Sequence, residues 1–299
     1  PTTTTIDHGS YFELGPVDRG EDARRDICLT LEDMGFEIEA SHHECAPGQH
    51  EIDFKYSEAL TAADNIMTFK LAVKSIAERH KLHATFMPKP LFNEAGSGMH
   101  INMSLCRDGE NVFADPGDPN GLSKIAYHFI AGIMDHAKGM TAITNPIVNS
   151  YKRLVPGYEA PVYIAWSAQN RSPLVRVPAA RGAGTRIELR NPDPSANPYL
   201  VLAVCLAAGL DGIKRELMPP ASTDSNVFKL TDDEREAMGI ENIPDNLDRA
   251  VRAMKKDSLI HRTLGSHAFM KYVAYKQKEW NQYRNVVTEW EIKNYLSRY

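Results

Sequence analysis

The sequence predicts an α+β protein built around a mostly antiparallel sheet that is covered by helices. Strand-like segments cluster in the first two thirds of the 299 residues, and the helices between them are uneven rather than regularly alternating with strands. The last third, about 197–299, is predicted to be helical. Hydrophobic residues make up 42% of the chain, which at this length is enough to bury a substantial core. We treat residues 1–299 as one domain.

Two amphipathic helices are predicted in the first 80 residues. The first covers about 22–34, with acidic residues in its opening turn and Gly35 after its end, as the helix dipole and a left-handed cap favour. The second covers about 61–80 and carries apolar residues at helical spacing on one face. Strand-like runs are predicted at 36–39, 83–87 and 99–105.

The second half of the chain continues with short strands and then with helices. A long helix is predicted to begin near Pro198, and Thr231 with Glu234 forms a capping box ahead of a short helix that Gly239 ends. Residues 252–290 are predicted to be mostly helical. The strand candidates that precede these helices are 162–167, 174–177 and 186–190.

Composition argues against several classes of protein. The chain has 34 Lys and Arg against 39 Asp and Glu, a net charge of −5, so no nucleic-acid partner is predicted. Four cysteines without a Cys-x-x-Cys pair indicate reduced thiols and a cytoplasmic setting. The longest apolar run, 201–210, is too short to span a bilayer, so no membrane partner is predicted either.

Three predicted strands carry functional polar side chains on one face, because residues two apart in a strand share a face. In any single strand a solvated sheet face produces the same pattern. Three such strands, each with a metal-ligand residue type, favour the floor of a cavity. The polar sets are Glu37 and Glu39, then His100, Asn102 and Ser104, and finally Arg186, Glu188 and Arg190.

Segment 39–51, EASHHECAPGQHE, is rich in carboxylates and histidines. Pro47 and Gly48 interrupt any regular element, so Glu44 and Glu51 can converge only if the chain turns back between them. Carboxylates held together repel one another unless a cation lies between them, and hard oxygen ligands suit Mg²⁺ or Mn²⁺. Zinc is the rival because of the histidines, and an acidic surface loop is the simpler alternative.

A glycine loop and an arginine cluster complete the pattern. Gly96 and Gly98 precede the His100 strand and would let a ligand approach the backbone, although a plain turn has the same composition. Clustered arginines suit recognition of phosphate and carboxylate, or form a solvated charged face. Carboxylates for a metal beside arginines for phosphate predict ATP-dependent phosphoryl transfer. The arginines are Arg171, Arg176, Arg181, Arg186 and Arg190.

Four strings closely resemble bacterial type I glutamine synthetase: EASHHECAPGQHEIDFKY, KPLFNEAGSGMHINMS, NSYKRLVPGYEAPVYIAWSAQNRS and RIELRNPDPSANPYL. The similarity runs in order along essentially the whole chain. It implies the catalytic fold shared by glutamine synthetases and guanido kinases. It also implies a glutamate–ammonia ligase that uses ATP and Mg²⁺ or Mn²⁺ to make glutamine, ADP and phosphate through γ-glutamyl phosphate.

The resemblance also implies a role for each matching residue. The metal ligands are Glu44 and Glu51 near the glutamate site, and His100 and Glu188 near the ATP phosphates. The nucleotide-binding positions are Glu39, Tyr56, Asn102, Ser104, Arg171 and Arg176. The glutamate-binding positions are Ala95, Gly96, Arg153, Glu159, Arg171 and Arg190. Glu159 lies on the flap that shields the intermediate, and it forms the catalytic set with Arg153 and Arg171.

The sequence departs from the family pattern in three places. Family members begin with a small β-grasp domain and a strand bearing a Glu-x-Glu pair, which do not precede Pro1 here. A C-terminal fragment with little or no activity by itself is therefore expected. No tyrosine occurs between Tyr199 and Tyr272, so control by adenylylation is expected to be missing. Asn102 stands where relatives often have His.

Two other functions are compatible with the resemblance. One is a ligase that joins glutamate to an amine or polyamine, and the other is a nitrogen-sensing protein that binds transcription regulators. Family members assemble as two stacked six-membered rings, and residues 287–299 resemble the tail that inserts into the facing ring. Packing of that tail against its own domain is the alternative. The expected partners are L-glutamate, ammonia, ATP and further copies of the chain.

Overall fold

The computed structural model describes residues 2–155 and 160–299, which form short strands and many helices. The helices are α1 (Glu21–Asp33), α2 (Ala59–Arg79), α3 (Lys124–Asp135), α4 (Ala137–Thr144), α5 (Ser150–Arg153), α6 (Pro198–Lys214), α7 (Asp232–Ala237), α8 (Leu247–Lys256), α9 (Ser258–Leu264), α10 (Ser266–Tyr283) and α11 (Glu289–Tyr295). The strands are β1 (Ile38–His43), β2 (His50–Phe54), β3 (Ile101–Met103), β4 (Cys106–Arg107), β5 (Glu110–Asn111), β6 (Trp166–Ser167), β7 (Val175–Arg176) and β8 (Ile187–Leu189).

These strands form a four-stranded sheet and two hairpins. The order in the larger sheet is β3-β8-β7-β6, with β8 antiparallel to both of its neighbours and with β6 parallel to β7. β1 pairs with β2, and β4 pairs with β5, in antiparallel hairpins. The predicted α+β class with a mostly antiparallel sheet is therefore confirmed.

Side-chain caps fix where several helices begin. The Glu58 carboxylate accepts hydrogen bonds from two backbone N–H groups in the first turn of α2. Ser123 and Asn197 cap α3 and α6 in the same way. The capping box predicted for Thr231 and Glu234 is present at the start of α7.

The described residues form two apolar cores. The larger core lies between the four-stranded sheet and helices α3, α4, α6 and α8. The smaller core joins Ile27 and Leu31 of α1 to Ile76 of α2, with Ile38 and Ile52 of the β1–β2 hairpin packed against them. The hairpin therefore has its own apolar support, separate from that of the sheet. No helix within the described ranges is long and apolar enough to cross a membrane.

Some predicted elements differ from the structure. Residues 83–87 form no strand in the described structure, and Phe86 packs against Phe69 of α2 instead. The strand predicted at 36–39 begins at Ile38 and continues to His43. The strands predicted at 99–105, 162–167, 174–177 and 186–190 are all shorter than expected. The sequence prediction also omits α3 and α4, whereas the last third is helical as predicted.

Candidate active site

Three neighbouring strands, β3, β8 and β7, bring predicted polar residues to one face of the four-stranded sheet. The predicted polar strand with Glu37 and Glu39 is not part of this sheet, because that segment belongs to the separate β1–β2 hairpin. Glu188 of β8 lies opposite Asn102 of β3 and opposite Arg176 of β7 in the strand register. The flanking residues Ile187 and Leu189 are buried in the larger core. Glu188 is itself buried, so this face is not an ordinary solvated sheet surface.

Glu188 is the centre of this polar face. Its Oε1 lies 3.1 Å from His100 Nδ1 and accepts a hydrogen bond from Arg190 Nη1 at 3.0 Å. Its Oε2 accepts a hydrogen bond from Arg176 Nη1 at 3.1 Å. Burial acts to raise the pKa of Glu188, but the hydrogen bond to His100 and the nearby arginine charges outweigh it and lower the pKa to about 2. Glu188 is therefore ionised throughout the physiological range.

Two buried polar atoms beside Glu188 have no hydrogen-bond partner among the described residues. They are Arg190 Nε and Asn191 Oδ1. A buried N–H group without an acceptor is costly, so such atoms call for a ligand or a water molecule. Arg190 thus has a spare donor suited to an anionic ligand.

The β1–β2 hairpin brings the predicted carboxylates together. His42 lies opposite Glu51 in the register, and the Glu44 N–H donates to the Gln49 carbonyl across the turn at 2.7 Å. His42 Nε2 is 3.4 Å from Glu44 Oε1 and 3.9 Å from Glu51 Oε2. Gly48 has a φ of +62°, the left-handed conformation that lets the chain reverse here. The predicted turn between the two glutamates is therefore present.

The two glutamates of the hairpin have unequal proton affinities. Burial, the hydrogen bond with Glu44 and the nearby Asp53 raise the pKa of Glu51 to about 8. The pKa of Glu44 is lowered, because hydrogen bonds from Glu51 and from the Cys45 backbone N–H outweigh its burial. The pair thus shares a proton because two adjacent carboxylates repel each other.

The chemistry of both groups fits divalent cations. Ligand atoms of His42, Glu44 and Glu51 lie within 4.8 Å of one another, close enough to share one ion. Carboxylate oxygens suit Mg²⁺ and Mn²⁺. In the sheet group, partial burial lowers the pKa of His100, which keeps the imidazole neutral and able to coordinate a metal.

The glycine loop connects the two groups. Gln49 of the hairpin turn donates from Nε2 to the Gly96 carbonyl at 3.1 Å. A Cβ at Gly96 would lie 2.6 Å from the Pro88 carbonyl oxygen, and one at Gly98 would lie 2.7 Å from Arg153 Nη2. Gly96 is therefore required by close packing against the backbone, which is more than a plain turn demands, whereas the Arg153 side chain beside Gly98 could move aside.

Arg153 packs behind this loop and is buried. Its guanidinium donates to the backbone carbonyls of Asn191 at 2.7 Å and of Arg190 at 3.2 Å. Burial lowers its pKa to about 10, which leaves it charged at neutral pH. The contacts of Arg153 in this structure thus hold the strand end that carries Arg190.

The other predicted site residues are placed less tightly. Asn102 accepts a hydrogen bond from Arg186, and Ala95 lies in the glycine loop. The residues predicted to bind nucleotide include several that are exposed, namely Glu39, Tyr56, Ser104 and Arg171. Glu159 lies outside the described residues, as does the Pro156-Gly157 turn.

The structure contains a buried polar network beneath the site that the sequence patterns did not predict. Asn145 donates to the Asn191 carbonyl at 2.7 Å and to Asp193 Oδ2 at 3.0 Å, and both aspartate and asparagine are almost fully buried. Lys70 of α2 donates to the Pro194 carbonyl at 2.6 Å, which joins this segment to the smaller core. The turn-rich string NPDP was the available signal.

Comparison with known proteins identifies relatives over the whole chain. The family model described as the glutamine synthetase catalytic domain matches residues 1–295. A glutamine synthetase of Clostridium saccharobutylicum is 64% identical over 298 residues, which cover 100% of this chain and 67% of that protein. A glutamine synthetase of Staphylococcus aureus (strain MW2) is 57% identical over 299 residues, with the same two coverages. The chain thus spans about two thirds of the length of these relatives.

Solved structures share the fold. A structure titled as a GmaS–ADP complex matches with a TM-score of 0.90 and 39% identity, covering 99% of this chain and 68% of the other. A cryo-electron microscopy structure of Plasmodium falciparum glutamine synthetase matches with a TM-score of 0.86 and 30% identity, covering 97% and 64%.

Proposed function

The chain belongs to the glutamine synthetase family, and on this premise we propose that it carries the active site for ATP-dependent ligation of ammonia to L-glutamate. The observation that carries the proposal is the pairing of two groups across one glycine loop. The hairpin group holds Glu44 and Glu51, the sheet group holds His100 and Glu188, and Gln49 ties the hairpin to the loop.

The proposed reaction has two steps, phosphorylation of glutamate and then attack by ammonia. The glutamate γ-carboxylate attacks the γ-phosphorus of ATP, the bond to the ADP oxygen breaks, and γ-glutamyl phosphate forms. Ammonia then attacks the γ-carboxyl carbon (Cδ), and phosphate leaves with the electron pair of the carbon–oxygen bond. Ammonium must lose one proton before the attack, for which Glu159 is the proposed acceptor, and the bound amine loses another after it, which the departing phosphate can take. An acyl phosphate hydrolyses in water, which is why a shielded site is needed.

The arginines suit the anionic substrates. Arg190 has a buried Nε without a described acceptor, and we assign it to a carboxylate of L-glutamate, together with the backbone at Ala95 and Gly96. Arg153 holds the carbonyls of the strand end and so orients Arg190. Arg176, which pairs with Glu188, and the exposed Arg171 are proposed to neutralise phosphate charge during transfer.

Two divalent cations, Mg²⁺ or Mn²⁺, are part of this proposal. Glu44 and Glu51 would hold one ion, and His100 and Glu188 would hold the other. When bound, such ions would neutralise phosphate oxygens and so assist the phosphoryl transfer. Asn102, Ser104, Glu39 and Tyr56 are proposed to contact the nucleotide. We also propose a cytoplasmic enzyme that assembles as two stacked hexameric rings.

A glutamate–amine ligase is the second candidate. The GmaS structures resemble this chain at 38–39% identity and TM-scores of 0.86–0.90, so the shared fold alone does not identify the nitrogen acceptor. Ammonia is the preferred acceptor because the relatives at 57–64% identity are named glutamine synthetase.

Binding and turnover by the 299-residue chain test the proposal. We expect ADP to bind in a Mg²⁺-dependent manner in calorimetry, and Glu188→Gln to weaken that binding by about tenfold or more. Glu241→Gln removes a glutamate from an exposed pair with Lys138 and should bind ADP like the wild type. Absence of nucleotide binding in the wild type, or equal binding by both variants, would overturn the proposal.

Turnover by the chain alone is expected to be slow. The described residues supply two predicted ligands to each site, with His42 close enough to the hairpin pair to add a third, which is fewer than the six that Mg²⁺ requires, although water can contribute. The measurement is phosphate release that depends on L-glutamate, with ammonium and methylamine compared as acceptors. A rate in the ordinary range of about 1–10³ s⁻¹ would contradict the expectation of weak activity. A preference for methylamine would favour the second candidate.

A further inference from the structure

Asp7 is a buried carboxylate in the segment that precedes α1, and no sequence pattern selected it. Only 5% of the residue is exposed. It accepts hydrogen bonds from three backbone N–H groups, those of Gly48 at 2.8 Å and of Gly9 and Arg19 at 3.2 Å. His43 Nε2 lies 3.1 Å from the same carboxylate. Four donors satisfy Asp7, so it does not need a metal ion.

His43 connects Asp7 to the hairpin. The ring is completely buried, with Nδ1 2.6 Å from the Glu44 carbonyl oxygen and Nε2 facing Asp7 Oδ1. Both facing oxygens are hydrogen-bond acceptors, so the buried ring bridges the Asp7 carboxylate and the Glu44 carbonyl.

Asp7 thereby holds two parts of the turn that carries Glu44. Through His43 it fixes the Glu44 carbonyl, and directly it fixes the Gly48 N–H. The Glu44 N–H is bound across the turn to Gln49. These bonds together set where the Glu44 side chain lies relative to Glu51.

We propose that Asp7 is a positioning residue for the divalent cation assigned to Glu44 and Glu51, acting through His43 and Gly48 without touching the ion. The inference rests on the metal assignment in the proposed function. A ligand whose backbone is fixed loses less freedom when it binds a metal, so outer groups of this kind raise affinity.

Manganese binding to the whole chain tests this inference. Free Mn²⁺ is measured by electron paramagnetic resonance during titration of the wild type, Asp7→Asn and Glu44→Gln. The part of Mn²⁺ binding that Glu44→Gln removes is the hairpin component, and the part that remains is the sheet component. We expect Asp7→Asn to weaken that component by about 10- to 100-fold and to leave the sheet component unchanged.

A matched control separates positioning from general destabilisation. Asp118, in the loop before α3, also accepts two hydrogen bonds from backbone N–H groups and one from a side-chain hydroxyl, those of Asn120, Leu122 and Tyr127. Asp118→Asn should lower the melting temperature without changing either Mn²⁺ component. If Asp118→Asn weakens the hairpin component as much as Asp7→Asn does, the positioning role is refuted.

A second variant covers the case in which Asp7→Asn does not fold. A Cβ at Gly9 would lie 2.7 Å from His43 Nε2, so Gly9→Ala displaces the ring while Asp7 remains. We expect Gly9→Ala to weaken the hairpin component in the same direction.

Two outcomes are distinguishable. A wild type without a Glu44-dependent component refutes the metal assignment in the proposed function. A wild type with that component, unchanged in Asp7→Asn and Gly9→Ala, refutes only the role of Asp7. In the Glu44→Gln background Asp7→Asn should have no further effect on Mn²⁺, since the two act on one site.

Discussion

The hairpin glutamates show how a pair of identical side chains acquires different proton affinities. Burial, Glu44 and Asp53 all disfavour the charged form of Glu51 and raise its pKa. Glu44 receives N–H and side-chain hydrogen bonds that favour its charge. The free energy of binding a cation here therefore includes the removal of the proton from Glu51.

The raised pKa of Glu51 predicts pH-dependent metal binding. Below about pH 8 each unit of rising pH should strengthen Mn²⁺ binding at the hairpin by up to about tenfold, because one proton must leave. Glu51→Gln should weaken the binding and abolish this pH dependence. The measurement is Mn²⁺ affinity between about pH 6 and 9. A pH-independent affinity in the wild type would contradict the raised pKa.

The raised pKa of Glu51 also makes the stability of the metal-free protein depend on pH. The folded-state pKa of Glu51 lies above its ordinary value of 4.5, so the folded chain binds this proton more tightly than the unfolded chain. Its contribution to stability is therefore fully present at low pH and is lost as the pH rises through about 8. Because the Glu51 side chain is partly exposed, solvent screening makes this contribution to stability smaller.

At this scale the sequence predicts residue types well and contacts less well. Strand alternation correctly places Glu188 with residues of neighbouring strands, because the period of two is fixed by backbone geometry. The bonds of Arg153 to backbone carbonyls could not be predicted, since they depend on where a distant strand ends. Asp7 was missed for the same reason, as its partners at His43 and Gly48 are 36 and 41 residues away.

At the scale of elements, helix prediction failed where burial was most complete. Helix α3 buries most of its length, including Phe129, Ile130 and Ile133, so its polar residues form only a narrow stripe that is easily missed in the sequence. The strand expected at 83–87 is absent because a strand needs a hydrogen-bonding partner strand. Phe86 of this segment packs against α2 instead, near the amino groups of Lys70 and Lys74.

Helices α3 and α6 approach so closely that their backbones touch. A Cβ at Gly132 of α3 would lie 2.1 Å from the Ala208 carbonyl oxygen, and one at Gly212 of α6 would lie 2.1 Å from the His128 carbonyl oxygen. Backbone atoms cannot move aside as a flexible side chain can. Glycine is therefore required at both positions by packing.

Substitution at this crossing tests the packing argument. Gly132→Ala should reduce the free energy of unfolding by about 2–3 kcal/mol or more, despite the higher helix propensity of alanine. Leu206→Ala, on the exposed side of α6, should change it by less than about 1 kcal/mol. Urea denaturation measures both. An unchanged midpoint for Gly132→Ala would show that the helices can separate at little cost.

At the scale of the whole molecule, the site lies where two separately supported units meet. The hairpin rests on α1 and α2, whereas the sheet rests on the larger core. Gln49 and Lys70 provide direct hydrogen bonds between them, to Gly96 and to the Pro194 carbonyl. The sequence indicates the parts of this site but not their joining, because the joining bonds span 47 and 124 residues.

The C-terminal helix α11 leaves an apolar surface uncovered. Trp290 of α11 is 62% exposed and Leu296, directly after the helix, is 78% exposed, and Ile292 and Tyr295 of α11 are also exposed. Exposed apolar side chains gathered on one short element are typical of an interaction surface. We infer that this surface contacts another copy of the chain, as the proposed ring assembly requires.

Sedimentation velocity over a range of protein concentrations tests that inference. The wild type should associate as concentration rises, yet short of a stable dodecamer, because α11 is one short contact surface. Combining Trp290→Ser with Leu296→Ser should shift the population to monomer, since it removes the two most exposed apolar groups of this surface apart from Tyr299. Met270→Ser is the matched control, because Met270 is 68% exposed on α10, outside the α11 surface, and its loss should leave association unchanged. Equal association of the tail variant and the wild type would place the contact between copies elsewhere on the molecule.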